Sequence, residues 1–558
     1  MKLKLVVTLV AVAAMACSAA VAAEPRVKLT ETGGLLVDGK PFLPIMVWAQ
    51  PSSTLEMHKG LGMNTMHPGE GEDKDPAKAY LDKLQAAGMM GLLNIEAFRD
   101  DLKDHPAVLA WTVEHEPDMA ENPAYEPDLL RGGPVIWIEG EAAKESTMKR
   151  NAWLDKEKLQ LSGKRWLTAE KDGAGSATWE FEVTQAGAYT LWVREFTKNW
   201  ANPTRWTLDE GQPQETPRSL RPLENVTLGG GQGVAWAEYG KVELAAGKHT
   251  LKFEIVAGRT VGKPDAEPNP EAIFAIDAIC LTQAESHPAA KPLEPTPKRL
   301  PEIEKANYEK LKAAKPDALA WNVLTSGCYG GYQKLPMRYY EEFVKWTDVV
   351  SFDHYPITGW NQPGRLPEVG LVTRKYVQMC GKGKPVWTIV EASDQDLSWT
   401  APETRGPTAA EMRAQVFSSI ACGAKGIGYF TIAFNPFRWN NLTDEIKAEL
   451  KRTNGELTEL AGPIVLGDTD KALTVTGDET DDKSAEGRAI HAIRKDYEGK
   501  TYVIAVNITR AAVTPTLKVD GATAAKATVW KESREVAVSD GGFSDAFEPL
   551  AVHVYLLQ

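Results

Sequence analysis

The chain of 558 residues holds only five cysteines, and no two of them stand at metal-ligand spacing, so neither a disulfide-built fold nor a zinc site is written in it. Basic clusters are lacking too. Lys and Arg number 63 against 76 Asp and Glu, for a formal charge of −13, and no run of them could grip a phosphate backbone, which excludes a nucleic-acid partner. Beyond the N-terminus no apolar run is long enough to be a transmembrane segment. Low-complexity sequence is confined to one proline-rich stretch, ESHPAAKPLEPTPKRLP. What is present, 43% hydrophobic and 25% charged residues, is an ordinary globular composition, and a chain this long exceeds what one core organises.

The first residues, MKLKLVVTLVAVAAMACSAAVAAEP, have a lysine-bearing start, an apolar middle and a small-residue finish. That is a secretory signal over 1–23, which predicts an exported protein, periplasmic or extracellular. A rival reading makes Cys17 a lipid-attachment site, although AMAC lacks the leucine usual three residues earlier. Cleavage leaves Cys280, Cys328, Cys380 and Cys422, which read as small apolar residues.

Four strands come next, ending at about Gln50, Pro68, Ala97 and Pro117. The segments between them include the helical pattern AKAYLDKLQAAG, stopped by Gly88. From about Val135 to Gln283 helical spacing vanishes in favour of short alternating stretches such as ATWEFEVTQAGAYTLWVREF, an all-β sandwich. Past the linker the strand-helix rhythm resumes through four more strands, the last AKGIGYFTIAF. Eight strands in two blocks, 24–130 and 288–467, have the size of a (β/α)8 TIM barrel, interrupted after strand four by a β-sandwich over 131–285. Short strands over 468–558 predict a second, C-terminal β-sandwich. The fold class is thus multidomain.

In such a barrel, chemistry sits at the C-terminal strand ends. HPAVLAWTVEHEPD ends strand four with Glu116, and PVWTIVEAS ends strand seven with Glu391. Two carboxyls across a barrel mouth suit glycosidic bond cleavage, one protonated to donate to the leaving oxygen and one ionised to attack the anomeric carbon. Glu114, two residues before Glu116, shares its strand face and is expected one layer deeper, hydrogen-bonded inside the barrel.

These two segments resemble the retaining (β/α)8 glycoside hydrolases of clan A. HPAVLAWTVEHEPD is similar to that clan's Trp-x-x-x-Asn-Glu-Pro segment, which would make Glu116 the acid/base. PVWTIVEAS is similar to its nucleophile strand, with Glu391 the nucleophile. VDGKPFLPIMVW and TAAEMRAQVFSSIACGAKGIGYF resemble the first and last barrel elements of bacterial β-galactosidase-like members. The resemblance implies a retaining hydrolase of β-glycosides acting on an oligo- or polysaccharide, with no cofactor for catalysis. His115 stands where the clan has Asn, and strand eight lacks the tryptophan that often floors the first sugar subsite. Trp48, His115, Asn322, His354 and Tyr355 are the candidate substrate contacts, Tyr355 as a hydroxyl beside the nucleophile; Trp360 and Trp399 are further aromatics that could stack on a pyranose.

The inserted module, through IWIEGEAA, AGAYTLWVR, AAGKHTLKFE and FAIDAICLT, resembles the calcium-containing jelly-roll carbohydrate-binding modules. That implies a structural calcium on Glu139, Glu141 and Asp277, and makes Trp200, Trp206 and Trp236 exposed aromatics for sugar. Two alternatives stay open: a calcium-free sandwich with solvated acids, and a non-catalytic carbohydrate-binding surface protein whose barrel is a degenerate scaffold.

Overall fold

The computed structural model describes residues 25–69, 76–121, 134–151, 161–169, 175–196, 202–215, 223–228, 232–256, 274–283, 295–329, 335–394, 405–434 and 437–557. Eight parallel strands close a barrel in chain order: β1 (Ile45–Gln50), β2 (Thr65–Pro68), β3 (Met90–Asn94), β4 (Val108–His115), β5 (Ala320–Thr325), β6 (Val349–Asp353), β7 (Val386–Glu391) and β8 (Ile427–Phe430). Their near-continuous apolar character comes from burial on both faces. Alternate residues divide between two cores. Met46, Trp48, Leu92, Trp321, Trp387 and Ile389 fill the barrel interior, while Ile45, Val47, Leu93, Trp111 and Val390 pack outward beneath the helices. Gly428 on β8 makes room for this filling, since a Cβ there would meet Met46 Cε at 2.5 Å.

The outer helices are α1 (Leu55–Gly60), α2 (Ala77–Ala87), α3 (Pro301–Ala314), α4 (Met337–Phe343), α5 (Glu368–Cys380), α6 (Ala409–Ala421) and α7 (Asp444–Glu459). Helix α2 ends at Gly88 in the left-handed conformation (φ 71°) that glycine adopts without penalty. Helix α6 opens with a Thr408–Glu411 capping box. Below the strands, the short antiparallel strands Val27–Leu29, Leu35–Val37 and Lys40–Pro41 plug the barrel's N-terminal end, Leu35 joining the cluster of Met90, Leu319 and Val349.

Past β4 the chain leaves the barrel and returns through a two-stranded antiparallel ribbon, pairing Ala120–Glu121 with Thr296–Pro297. The linker's proline at 297 therefore sits in an edge pairing, where a missing N–H is tolerated. Between the ribbon strands lies a sandwich of a five-stranded and a seven-stranded antiparallel sheet. Its core draws Trp179 and Phe253 from one sheet and Leu191, Val193 and Ile279 from the other. The C-terminal residues form a further pair of antiparallel sheets, of three and five strands. These are fastened to α6 by His491 on Ser418 Oγ at 2.8 Å and by Arg510 on Glu411. All four described cysteines are unpaired. No described helix is long and apolar enough to cross a membrane. Residues 1–23, expected to be a secretory signal, lie outside the described residues.

Candidate active site

Two local departures from regular strand geometry aim the carboxylates. The first is a bulge in β4: Trp321 of β5 pairs with Thr112 but Asn322 pairs with Glu114, leaving Val113 as the extra residue. The bulge reverses the facing of the residues after it. Glu114 turns outward, within 3.4 Å of Arg299 Nη1 and 3.3 Å of Asn307 Nδ2 on α3, rather than into the barrel as the two-residue spacing implied. His115 instead turns inward, against Trp48 (centroids 4.9 Å apart). The other departure is Glu116 itself, at φ 46° just after the strand, a left-handed conformation that a non-glycine residue holds only where its surroundings impose it. Its N–H donates to the Val323 carbonyl (2.7 Å), and Pro117 ends the ladder.

Left-handed Glu116 meets Asp353, the last residue of β6, carboxyl to carboxyl within hydrogen-bond reach. Burial first, and the neighbouring Glu116 charge second, push the Asp353 carboxyl well above the usual range. Glu391, last in β7, is fully enclosed. Its oxygens accept from the Ile357 N–H (3.0 and 3.1 Å), the Thr358 N–H and hydroxyl (both 2.7 Å) and Gln415 Nε2 on α6 (3.1 Å). Burial raises its carboxyl to about 7 against the pull of those donors. The Tyr355 hydroxyl is driven well above the ordinary phenol range by burial and by the charges of Asp353, Glu116 and Glu391. Its ring rests on Phe430 at the end of β8 (5.2 Å).

Trp48 is stacked on His67 (4.0 Å, 14°) and meets Trp321 edge-on (5.6 Å). His67 Nε2 reaches Asn94 Oδ1 at 3.2 Å, and burial, aided by His115, lowers the imidazole to about 3, so it is neutral. His67 and Asn94 stand at the ends of β2 and β3. Strand-end position was the only signal that could have found them, or Asp353.

Of the predicted contacts, the structure brings Trp48, His115 and Tyr355 to this mouth together with Glu116, and seats Glu391 in the wall beside Tyr355. Asn322 and His354 are corrections. Asn322 comes after inward-facing Trp321, so it points out of the barrel, where Nδ2 donates to buried Glu304 on α3 (2.7 Å). His354 comes after Asp353 and likewise lies behind the wall, edge-on to Trp360 (4.6 Å) and 3.6 Å from Glu368 of α5. Trp360 is half-buried under the Arg365 guanidinium (5.0 Å), and Trp399 lies outside the described residues.

In the sandwich, Trp206 and Trp236 are 2% and 0% exposed, so the expectation of exposed platforms there is overturned; Trp206 lies in the core between the sheets, and Trp236 in a separate cluster with Trp192, Ala278 and Cys280 on the other face of the seven-stranded sheet. Trp200 lies outside the described residues. Glu139, Glu141 and Asp277 do gather. A Cβ on Gly163 would lie 2.4 Å from Glu141 Oε1 and 3.4 Å from Glu139 Oε2. Ser162 bonds both Glu139 (2.8 Å) and Asp277 (3.3 Å). One oxygen of each acid, Glu139 Oε2, Glu141 Oε2 and Asp277 Oδ1, is buried without a hydrogen-bond partner, the donor chemistry a hard cation takes. Against that, Asp277 already pairs with Arg194, and no group of three or more His, Cys, Asp or Glu among the described residues is close enough to hold a metal as it stands. As they stand, the three acids therefore do not form a metal site.

No curated protein is a significant match to the chain. Among solved structures it is similar to a β-galactosidase from Bacillus circulans sp. alkalophilus (10% identity, TM-score 0.32, covering 46% of this chain and 66% of that one). It is similar to the same extent to a family 42 β-galactosidase from G. stearothermophilus (10%, 0.32, 46% and 66%), and to an Anoxybacillus α-amylase (14%, 0.32, 47% and 56%). The chain thus spans less than two thirds of these structures' own lengths, and superpositions this loose say nothing of activity. The family comparison is confined to the barrel: residues 298–459, from the ribbon's return to the end of α7, match the model Glyco_hydro_42, described as Beta-galactosidase, so the returning half of this barrel is similar to that glycoside hydrolase family.

Proposed function

We propose that the protein is an exported retaining glycoside hydrolase that cleaves β-linked oligo- or polysaccharides, with Glu116 as acid/base and Glu391 as nucleophile. The observation that carries the reading is the family match across β5 to β8, joined to acids at the ends of β4, β6 and β7 around one tyrosine. In the double displacement, Glu116 gives its proton to the leaving oxygen while Glu391 bonds to the anomeric carbon; Glu116 then takes a proton from the water that frees the sugar. Trp48 supplies an apolar face, and neutral His67 fixes that ring by stacking on it. The test is turnover of aryl β-galactosides and other aryl β-glycosides by the purified chain, with products followed by NMR. Release of the β-anomer first supports it, and release of the α-anomer would refute retention.

A second reading, a carbohydrate-binding protein with a degenerate barrel, is favoured by the enclosure of Glu391, both of whose oxygens are already engaged. Binding of a polysaccharide with no turnover of any aryl glycoside would select it.

Calcium on the sandwich acids forms part of the same proposal. An ion there would neutralise Glu139 and Glu141, whose mutual charge, after burial, raises the Glu141 carboxyl. Calcium is expected to raise the thermal midpoint of the module's transition, with stabilisation of about 2.7 kcal/mol at a hundredfold excess over the dissociation constant. Asp277→Ala should weaken that shift. An identical midpoint in chelator and in calcium would leave the three acids as a calcium-free cluster.

A further inference from the structure

The segment that carries Glu116 is held by its backbone on both sides. The Glu116 N–H donates to the Val323 carbonyl of β5 (2.7 Å) and the Glu116 carbonyl accepts from the Met119 N–H (3.2 Å), while the Pro117 and Met119 carbonyls accept from the Arg299 and Lys298 N–H groups (3.1 and 2.7 Å). With His115 paired to Val323, a regular parallel ladder would run next from the Thr325 N–H to the Glu116 carbonyl. The Asp118 carboxyl takes that place instead. Its oxygens accept the Thr325 N–H (2.9 and 3.0 Å) and the Thr325 hydroxyl (2.7 Å), with both residues buried. Thr325 is itself fixed, since Tyr376 of α5 donates its hydroxyl to the Thr325 carbonyl (2.6 Å) and the Gly327 N–H donates to the Thr325 hydroxyl (3.2 Å).

Burying a carboxyl against neutral donors costs more than filling the space with an apolar side chain, so space-filling does not account for Asp118. Its bonds fix a geometry. By releasing the Glu116 carbonyl from the ladder, Asp118 lets the chain turn at Glu116 while β5 keeps its partner. That turn matters because His115 faces inward, and alternation along a regular strand would send the next side chain, Glu116, behind the wall. Pro117 also pushes the residue before it toward extended backbone, so the left-handed conformation of Glu116 (φ 46°) is disfavoured on two counts. It needs an anchor on its far side. We propose that Asp118 is a positioning residue for Glu116: by standing in for the Glu116 carbonyl on Thr325, it anchors the turn that holds Glu116 left-handed and keeps the acid at the barrel mouth. The inference rests on the acid/base role proposed above. Fully buried and bonded to β5, Asp118 acts through the backbone.

The experiment pairs crystallography with kinetics on the full chain. In Asp118→Ala, Glu116 is expected to relax toward negative φ and its carboxyl to move by about 1 Å or more, a displacement that costs about 10²-fold in rate. The kinetic readout is kcat and KM on aryl glycosides with good and with poor leaving groups. Because poor leaving groups are the ones that need the proton, their kcat should fall about 10²-fold, with KM and the first step on activated substrates little changed. A merely structural defect would lower both substrate types alike. Asp118→Asn, which keeps an acceptor for the Thr325 N–H, should recover part of the loss. If Asp118→Ala does not fold, Thr325→Val, which removes the hydroxyl but keeps the N–H, is expected to give the same ordering of losses at smaller size. Equal losses on both substrate types, or a Glu116 that stays in place in the variant that folds, would overturn the proposal. The parent reading fails separately: a wild-type chain without turnover, or Glu116→Ala with full turnover, ends the acid/base assignment, while the variant's crystal structure still decides whether Asp118 holds the turn.

Discussion

Glu391→Ala is expected to abolish turnover on every substrate, lowering kcat by about 10⁴-fold or more, because in the proposed double displacement the covalent intermediate forms on this carboxylate. Added azide should recover activity through the vacated space and yield a glycosyl azide of inverted configuration. Two effects have to be separated. The alanine also strands the N–H groups of Ile357 and Thr358, the Thr358 hydroxyl and Gln415, all of which now donate to Glu391. Each buried group left without a partner costs about 1–3 kcal/mol, so this variant should also melt earlier. Glu391→Gln keeps the shape and one acceptor oxygen. It should recover much of the lost stability while remaining inactive, and a well-folded Glu391→Gln with near-normal turnover would remove Glu391 from the mechanism.

Glu116→Ala should behave differently. Its loss is expected to be about 10²–10⁴-fold on substrates with poor leaving groups, the usual reach of general acid catalysis, and much smaller for the first step on activated aryl glycosides. Azide should accelerate the second step, since it needs no general base, and give a product of retained configuration. The substitution exchanges one non-glycine residue for another at φ 46°, so the backbone conformation costs about the same before and after and the kinetic effect can be assigned to the carboxyl. Uniform losses across leaving groups would show that Glu116 is not the acid.

Periodicity made the barrel legible. Parallel strands buried on both faces, such as AWNVLT and VWTIVE, are continuous apolar runs, and each lies where the alternation with helical patterns places it. What alternation could not show was where it fails. The bulge at Val113 leaves no mark in TVEHEP, so a rule of two put Glu114 beside Glu116 when the fold sends it outward to Asn307 and Arg299. The same limit explains Asn322 and His354. Both are polar residues near strand ends, and only the facing of Trp321 and Asp353 tells that they lie behind the wall. Asp353 was visible as a strand-end acid, but its contact with Glu116 joins residues far apart in the chain and depends on a positive φ that the sequence does not announce. In the sandwich, tryptophans on alternating strands are alike in pattern whether they face sugar or protein, and Trp206 and Trp236 are both buried in protein.

The ribbon of 120–121 with 296–297 also decides how freely the insertion could be exchanged. Because the barrel fixes both ribbon strands side by side, the ends of whatever is threaded between them are already closed, and loop-closure entropy grows only as the logarithm of the inserted length. A large folded guest therefore burdens the host little more than a short hairpin would. The attachment point is nevertheless not neutral. Arg299, two residues past the ribbon's return, donates its N–H to the Pro117 carbonyl and sets its guanidinium 3.4 Å from Glu114, so the stem is tied to residues on either side of Glu116. The graft site is at once permissive to cargo and mechanically coupled to the acid that the barrel presents.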